Sequence, residues 1–391
     1  MRILLSTIGS RGDVQPIVAL AMHLRDAGHD ARVCAPPGFD GLVAGYGLSF
    51  VPVGHDLRLG PRKVSGGPAT TLAEHFRTLG KAADGCDAMV GCAALQIVGR
   101  SIAEKLDIPY LYATYAPVAL PSTHHAPPPV AGPPRPEAGD NRTKWELDAR
   151  WWNDTWRDGL NAARAAIDLE PVRDVRGYVV TEHPLLAADP TLAPWPTPSE
   201  LDVLQTGAWL MADDRPLADD VQRFLAAGAP PILFGFGSIR RPRASGAGMI
   251  DAARRLGYRA IVMRGWAEVA AAEGLPQGPD WLSVGETNLQ ALLPRVAAIA
   301  HHGGAGTTTE AMRAGTPQLV VPHEYDQPYH ADRVAALGIG VAHPASQPTS
   351  DSLTEALDRV LSAPVRARAL ALAPRVRTDG TAVAAREILT R

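Results

Sequence analysis

The chain has 391 residues, more than twice a typical domain, so two domains of nearly equal size are the expected arrangement. At 46% hydrophobic and 20% charged residues its composition is that of a globular protein, and no run approaches the ~18 apolar residues of a membrane span. A net charge of −3, with arginine and aspartate scattered along the chain, gives no footprint for nucleic acid. Cys34, Cys86 and Cys92 have no zinc-like spacing and are too few for a disulfide framework, so they read as small buried residues of a reducing compartment. Residues 2–7 enter a strand at once and leave no room for a signal peptide, which makes the cytoplasm the expected location.

Residues 2–7 are a buried-strand run and 9–13 a turn, and 14–27 carry Ile17, Leu20, Ala21 and Leu24 at helical spacing up to Gly28. A strand at 31–35, a short helix and a strand at 48–52 complete a β-α-β-α-β rhythm. That rhythm is a doubly wound parallel sheet, whose ligands sit beyond the carboxyl ends of the strands. The loop with Ser10, Arg11 and Asp13 is therefore a cleft loop. Asp13 has two readings in it: an N-cap for the following helix, with Pro16 tolerated in the first turn, or a general base.

Residues 51–69, broken by Gly60-Pro61 and Gly66-Gly67-Pro68, form a candidate acceptor loop. Strands at 87–91 and 109–113 then flank a helix through Leu106. From 115 to 156 the composition shifts to proline and to Trp145, Trp151, Trp152 and Trp156. This segment reads either as a lid that packs an apolar, ring-bearing acceptor or, for Trp152 and Trp156 at a spacing of four, as a helix anchored to the core. His124 and His125 read as loop histidines.

Strands are predicted at 178–181 and 202–206, and 207–216 reads as a linker. Asp213 and Asp214 have no third ligand at matching spacing, so they read as linker acids rather than a metal site. A second β/α unit opens at 231–238 with a strand and the turn Gly237-Ser238, followed by a helix to Leu256 and strands at 260–263 and 281–284. A strand at 296–300, a glycine turn and a helix at 307–313 come next. Gly303, Gly304 and Gly306 let the backbone approach a ligand, the helix N-terminus faces an anion, and His302 adds a donor, which together suggest a diphosphate seat. After a strand at 319–321, Asp326 and Gln327 offer a carboxylate and an amide suited to sugar hydroxyls; Asp326 reads alternatively as a helix cap. Residues 380–391 read as one more helix.

The window His302-Gly-Gly-Ala-Gly-Thr307, with Asp326-Gln327 about two dozen residues on, resembles the nucleotide-sugar signature of the family 1 glycosyltransferases. With Gly9-Ser-Arg-Gly-Asp-Val14, Arg264-Gly-Trp266 and Val284-Gly-Glu-Thr-Asn-Leu-Gln290, the chain looks most like the bacterial vancomycin-group antibiotic glycosyltransferases. The resemblance implies an α/β GT-B fold, two Rossmann-like domains facing each other across a cleft. It divides the chain into an acceptor-binding domain at 1–206, a linker at 207–230, a nucleotide-sugar domain at 231–376 and a last helix at 377–391 that crosses back to the first domain.

For the reaction, the resemblance implies inverting transfer of a sugar from a dTDP- or UDP-sugar to a hydroxyl of an apolar, aromatic aglycone, most like a glycopeptide. It implies no metal, no cofactor beyond that co-substrate, and no nucleic-acid or membrane partner. Asp13 is the implied general base. The implied donor contacts are Ser10, Arg11, Ser238, Val284, His302, Gly303, Gly304, Gly306, Thr307, Asp326 and Gln327. Val284 stands where plant members usually place a tryptophan that stacks on uracil, so the base is left unread. A polyketide, macrolide or lipid acceptor, and a sugar-nucleotide 2-epimerase of the same architecture, are the alternatives.

Overall fold

The computed structural model describes residues 1–60, 67–93, 95–128, 139–268, 278–344 and 347–391. The chain divides into two compact units, one of Met1–Pro190, Pro194–Met211 and Arg377–Arg391, the other of Thr191–Ala193 and Ala212–Val376.

In the first unit the apolar run Ile3, Leu4 and Leu5 is wholly buried, as a strand covered on both faces requires. The elements alternate: β1 (Arg2–Thr7), α1 (Arg11–Asp26), β2 (Asp30–Ala35), α2 (Asp40–Gly45), β3 (Ser49–Pro52), α3 (Gly67–Ala83), β4 (Ala88–Cys92), α4 (Gly99–Leu106) and β5 (Tyr110–Thr114). Then come α5 (Asn141–Ala165), α6 (Val175–Val180) and the short strands β6 (Leu185–Leu186) and β7 (Leu204–Gln205). The sheet order is β3-β2-β1-β4-β5-β6-β7 with every pairing parallel, so the winding reverses between β1 and β4.

One sequence reading changes here, and one is decided between its two alternatives. Residues 178–181, predicted as a strand, lie in and just after α6: the Asp174 carboxylate accepts the Gly177 N–H at 3.2 Å and starts a helix that buries Val175, Val179 and Val180. Four apolar residues do not distinguish a strand from one helical turn, and the cap decides. The tryptophans, for their part, belong to α5, where Trp152 and Trp156 pack on the core of the unit. Trp145 is buried, donates its indole N–H to the His125 carbonyl at 2.8 Å and carries the Arg176 guanidinium over its ring. These three anchor the helix. Residues 61–66 and 129–138, parts of the two proposed acceptor segments, lie outside the described residues.

The segment read as a linker splits. Residues 207–211 stay with the first unit, while α7 (Asp219–Ala226) plants Val221 and Leu225 in the core of the second. That unit continues with β8 (Ile232–Gly235), α8 (Gly246–Arg255), β9 (Ala260–Met263), β10 (Trp281–Val284), α9 (Leu289–Leu292) and β11 (Ala298–His301). It ends with α10 (Ala305–Arg313), β12 (Gln318–Val320), α11 (Gln327–Ala336), β13 (Gly340–Ala342), α12 (Ser350–Val360) and α13 (Ala363–Leu372). Its sheet order is β10-β9-β8-β11-β12-β13, again parallel, with the reversal between β8 and β11.

The last helix, α14 (Gly380–Leu389), returns to the first unit and packs on α1. Gly380 is required there, because a Cβ would strike the carbonyls of Gly207 and Ala208. The Arg377 N–H, donating to Asp189 at 2.8 Å, fixes the approach.

Candidate functional site

In a doubly wound sheet, ligands collect where the strand order reverses, because the loops there part to opposite faces. In the second unit the reversal sets the turn after β8 beside the turn after β11, with His301 in register with Gly235. His302 fills the gap. A Cβ on Gly237, whose φ is 52°, would lie 3.2 Å from its Cε1, and one on Gly304 would lie 2.6 Å from its Nε2. Ser238 stands next to Gly237, partly exposed, and the Gly237 carbonyl accepts the Trp266 N–H at 3.0 Å, which ties the β9 exit to the same turn.

The glycine turn is held from beneath by a pair that the sequence reading passed over. Wholly buried His301 donates Nε2–H to the Gln318 amide oxygen at 2.9 Å and accepts the Gly303 N–H on Nδ1 at 3.1 Å. One ring thus orders the turn and fixes its own tautomer. Gly303 has φ 92°, and a Cβ there would lie 2.7 Å from Val320 Cγ1, so only glycine fits. The second histidine of the pair is the one beside the glycine turn, and only the strand register shows that Gln318 faces the first.

Helix α10 begins two residues before its predicted start, with Gly304 as N-cap and no side chain capping it. The first intrahelical bond is Thr308 N–H to the Gly304 carbonyl, so the N–H groups of Ala305, Gly306 and Thr307 precede the ladder. Gly306 consequently lies inside the first turn rather than in the loop, a correction to its reading as a loop glycine. Thr308 and Thr309 spend their hydroxyls on the carbonyls of Gly304 and Ala305, at 2.9 and 2.7 Å. Thr307, partly exposed, does not. His302 Nδ1 has no partner, and burial holds its pKa down to about 3, so the imidazole is neutral. Three uncapped amides, a neutral imidazole and two hydroxyls therefore belong to these turns, groups of the kind that can receive an anion.

Asp326 and Gln327 sit at the start of α11. Asp326 occupies the N-cap position but makes no capping bond, which removes its reading as a structural cap. Its side chain is 16% exposed, and burial pushes its pKa up to about 7. His330 Nδ1 lies 3.5 Å away, but burial holds that imidazole near 4, so the contact is not an ion pair. Gln327 uses its amide oxygen to accept the N–H groups of His323 and Glu324, at 2.8 and 3.2 Å. Only its NH₂ is left for a ligand. Val284 is 5% exposed in the core of the unit and its carbonyl accepts the Arg264 N–H, so it offers a ligand no side-chain surface.

In the first unit the reversal between β1 and β4 presents the loop before α1. That helix starts at Arg11 rather than Val14, with Ser10 as N-cap, and this corrects the reading of Asp13 as the cap. Asp13 is the third helical residue, and its carboxylate accepts the Ser10 N–H at 2.7 Å. A Cβ on Gly9 would collide with that carboxylate, so the glycine makes room for it. Tyr115, unremarked in the sequence, donates its hydroxyl to the Asp13 carbonyl at 2.9 Å. Ser10, the N-cap, and Arg11, the first helical residue, are both partly exposed.

Among the described residues no group of three or more His, Cys, Asp or Glu side chains could hold a metal ion, and no helix is long and apolar enough to cross a membrane.

Residues 3–124 match the glycosyltransferase family 28 N-terminal domain, and residues 246–384 match the C-terminal domain of erythromycin biosynthesis protein CIII-like proteins. The chain is 45% identical over 399 residues to the vancomycin aglycone glucosyltransferase of Amycolatopsis orientalis, covering 100% of this chain and 97% of the relative. It is 42% identical over 384 residues to the dTDP-epi-vancosaminyltransferase of the same organism, covering 94% and 92%. Among solved structures, glycosyltransferase VinC in complex with dTDP superposes with a TM-score of 0.71 at 22% identity, over 99% of this chain and 100% of that one. Spinosyn forosaminyltransferase SpnP does so with a TM-score of 0.71 at 21% identity, over 100% and 99%.

Proposed function

This chain belongs to the vancomycin-group antibiotic glycosyltransferases, and from that premise we propose that it moves a sugar from a dTDP- or UDP-sugar to a hydroxyl of a glycopeptide aglycone, with inversion and without a metal. The observation that carries the donor half is the uncapped N-terminus of α10 beside His302, whose Nδ1 is unpartnered. There the amides of Ala305 to Thr307, His302, Thr307 and Ser238 receive the diphosphate and stabilise it as it leaves. Asp326 and the Gln327 NH₂ meet the sugar hydroxyls. Asp13 takes the acceptor proton as the acceptor oxygen bonds to the anomeric carbon and the bond from that carbon to the diphosphate oxygen breaks. Ser10 and Arg11 lie beside that base. We propose the cytoplasm as the location; three buried, free cysteines accord with a reducing compartment.

Incubation with a dTDP- or UDP-hexose and a heptapeptide aglycone of the vancomycin type, read by mass spectrometry, tests this. Gain of one hexose on the aglycone, with inverted anomeric configuration and unchanged rate in EDTA, is the expected result. Epimerised donor in the absence of any acceptor would assign the chain to 2-epimerase chemistry instead. Transfer to macrolide, polyketide or lipid acceptors alone would overturn the glycopeptide assignment.

A further inference from the structure

His323 lies in the loop between β12 and α11 and belongs to none of the motifs above, yet both of its ring nitrogens have backbone partners. Its Nδ1 lies 2.9 Å from the Val321 carbonyl and its Nε2 is 2.9 Å from the Arg243 backbone N–H. A carbonyl can only accept and a backbone N–H can only donate, so the proton is on Nδ1 and Nε2 is bare. Burial lowers the imidazole pKa, which keeps that neutral form in place near pH 7. The ring stands edge-on to Phe236, centroids 5.8 Å apart, immediately before the Gly237-Ser238 turn. The Arg243 guanidinium reaches the His323 carbonyl at 3.3 Å, and the His323 N–H is held by the Gln327 amide oxygen at 2.8 Å.

His323 therefore grips both ends of the segment after β8, at Phe236 and at Arg243, and is itself gripped by Gln327. We propose that His323 is a positioning residue that sets the sugar-facing pair Asp326-Gln327 at a fixed distance from the diphosphate turn, so that the site selects a nucleoside diphosphate bearing a sugar over the bare nucleotide. The inference deepens the donor-site reading given above and rests on it. A second observation on the same loop fits a geometry imposed from outside: Tyr325, not a glycine, is held at φ 55°, in the left-handed region.

The experiment compares calorimetric binding of dTDP or UDP with that of dTDP-glucose or UDP-glucose, and donor KM with kcat, in wild type and in three variants. His323→Ala removes both ring contacts. His323→Gln places an amide oxygen near the Nε2 position and can accept the Arg243 N–H, whereas His323→Asn can reproduce only the Nδ1 bond to Val321. The expected outcome for Ala and Asn is a nucleotide Kd within about twofold of wild type with nucleotide-sugar Kd and KM raised about five- to tenfold, the scale of one or two neutral hydrogen bonds. Gln recovers most of that loss.

The split between nucleotide and nucleotide-sugar affinity is the readout that a purely structural residue would not move, and nitrogen-15 NMR of the imidazole checks the two ring contacts themselves. It should report the Nδ1–H tautomer, the less common one for a free imidazole, unchanged by dTDP. The Nε2–H tautomer, or Asn rescuing as well as Gln, overturns the proposal. So does equal weakening of nucleotide and nucleotide-sugar. If wild type itself binds neither nucleotide, the donor-site reading fails rather than the role of His323.

Discussion

Replacing Asp326 with asparagine should make the protein more stable and less active, and the size of the first effect follows from burial. Asp326 makes no capping bond, is 16% exposed and has a neutral imidazole, that of His330, at 3.5 Å. Its pKa is accordingly raised from 3.8 to about 7. A carboxyl raised in the folded state holds its proton there after the unfolded chain has lost it, so stability falls as pH climbs from about 4 to 7, and the whole cost is present above 7. Three pKa units correspond to about 4 kcal/mol. Asparagine has nearly the same shape and carries no such cost, so the Asp326→Asn gain should be about 2–4 kcal/mol at pH 8, roughly 5–15 °C in melting temperature for a unit of this size, and should vanish near pH 4. Thermal melts from pH 4 to 8.5 read this directly. Donor kinetics in parallel should show a raised KM or lowered kcat, larger for a hexose than for a deoxysugar that lacks the contacted hydroxyl. A variant that melts at or below wild type at pH 8, or whose gain is the same at pH 4 and pH 8, would refute the reasoning, because the stabilisation would then owe nothing to ionisation.

Asp13→Asn should keep melting temperature and nucleotide affinity, since an amide oxygen can still accept the Ser10 N–H, while kcat falls about 10²- to 10⁴-fold. Loss of activity only in step with stability would make Asp13 part of the capping box and nothing more. His302→Ala should weaken dTDP or UDP binding by about 1.5–3 kcal/mol, one hydrogen bond to a charged acceptor, with EDTA changing neither wild type nor variant in titration calorimetry. Gly303→Ala forces a side chain into φ 92° and against Val320, and chemical denaturation should show a loss of about 2 kcal/mol or more together with lost nucleotide binding.

The parallel sheets were legible because strands buried on both faces leave unmistakable apolar runs, as at Ile3 to Leu5 and at Ala298 to Ala300. The glycine turn was legible for a related reason: Gly303 can be no other residue. Helix starts were harder. Both α1 and α10 begin before their apolar periodicity does, since the first turn of each is exposed or partly exposed rather than buried in the core, and so Asp13 and Gly306 were misplaced by one helical turn or less. The α6 segment failed because its apolar run is too short for a period. His301, Tyr115 and His323 were invisible for a different reason: each acts through a partner on another strand or loop, and only the register brings Gln318, the Asp13 carbonyl and Arg243 within reach.

The charge states of the second unit bear on how it could hold a dianionic group without a metal. Burial keeps His301, His302 and His330 neutral, with pKa values of about 4, 3 and 4, and biases Asp326 toward its protonated form. A buried cation here would need its own counter-charge in the empty protein, and a buried carboxylate would repel the ligand. In the donor site proposed above, neutral donors avoid both costs: the amides at the start of α10, a neutral imidazole and a threonine hydroxyl carry no charge in the absence of an anion. The cost of that arrangement lies in the same residues, as an unpartnered Nδ1 on His302 and a carboxyl held near pKa 7 on Asp326. Those are the positions at which substitution should trade activity for stability.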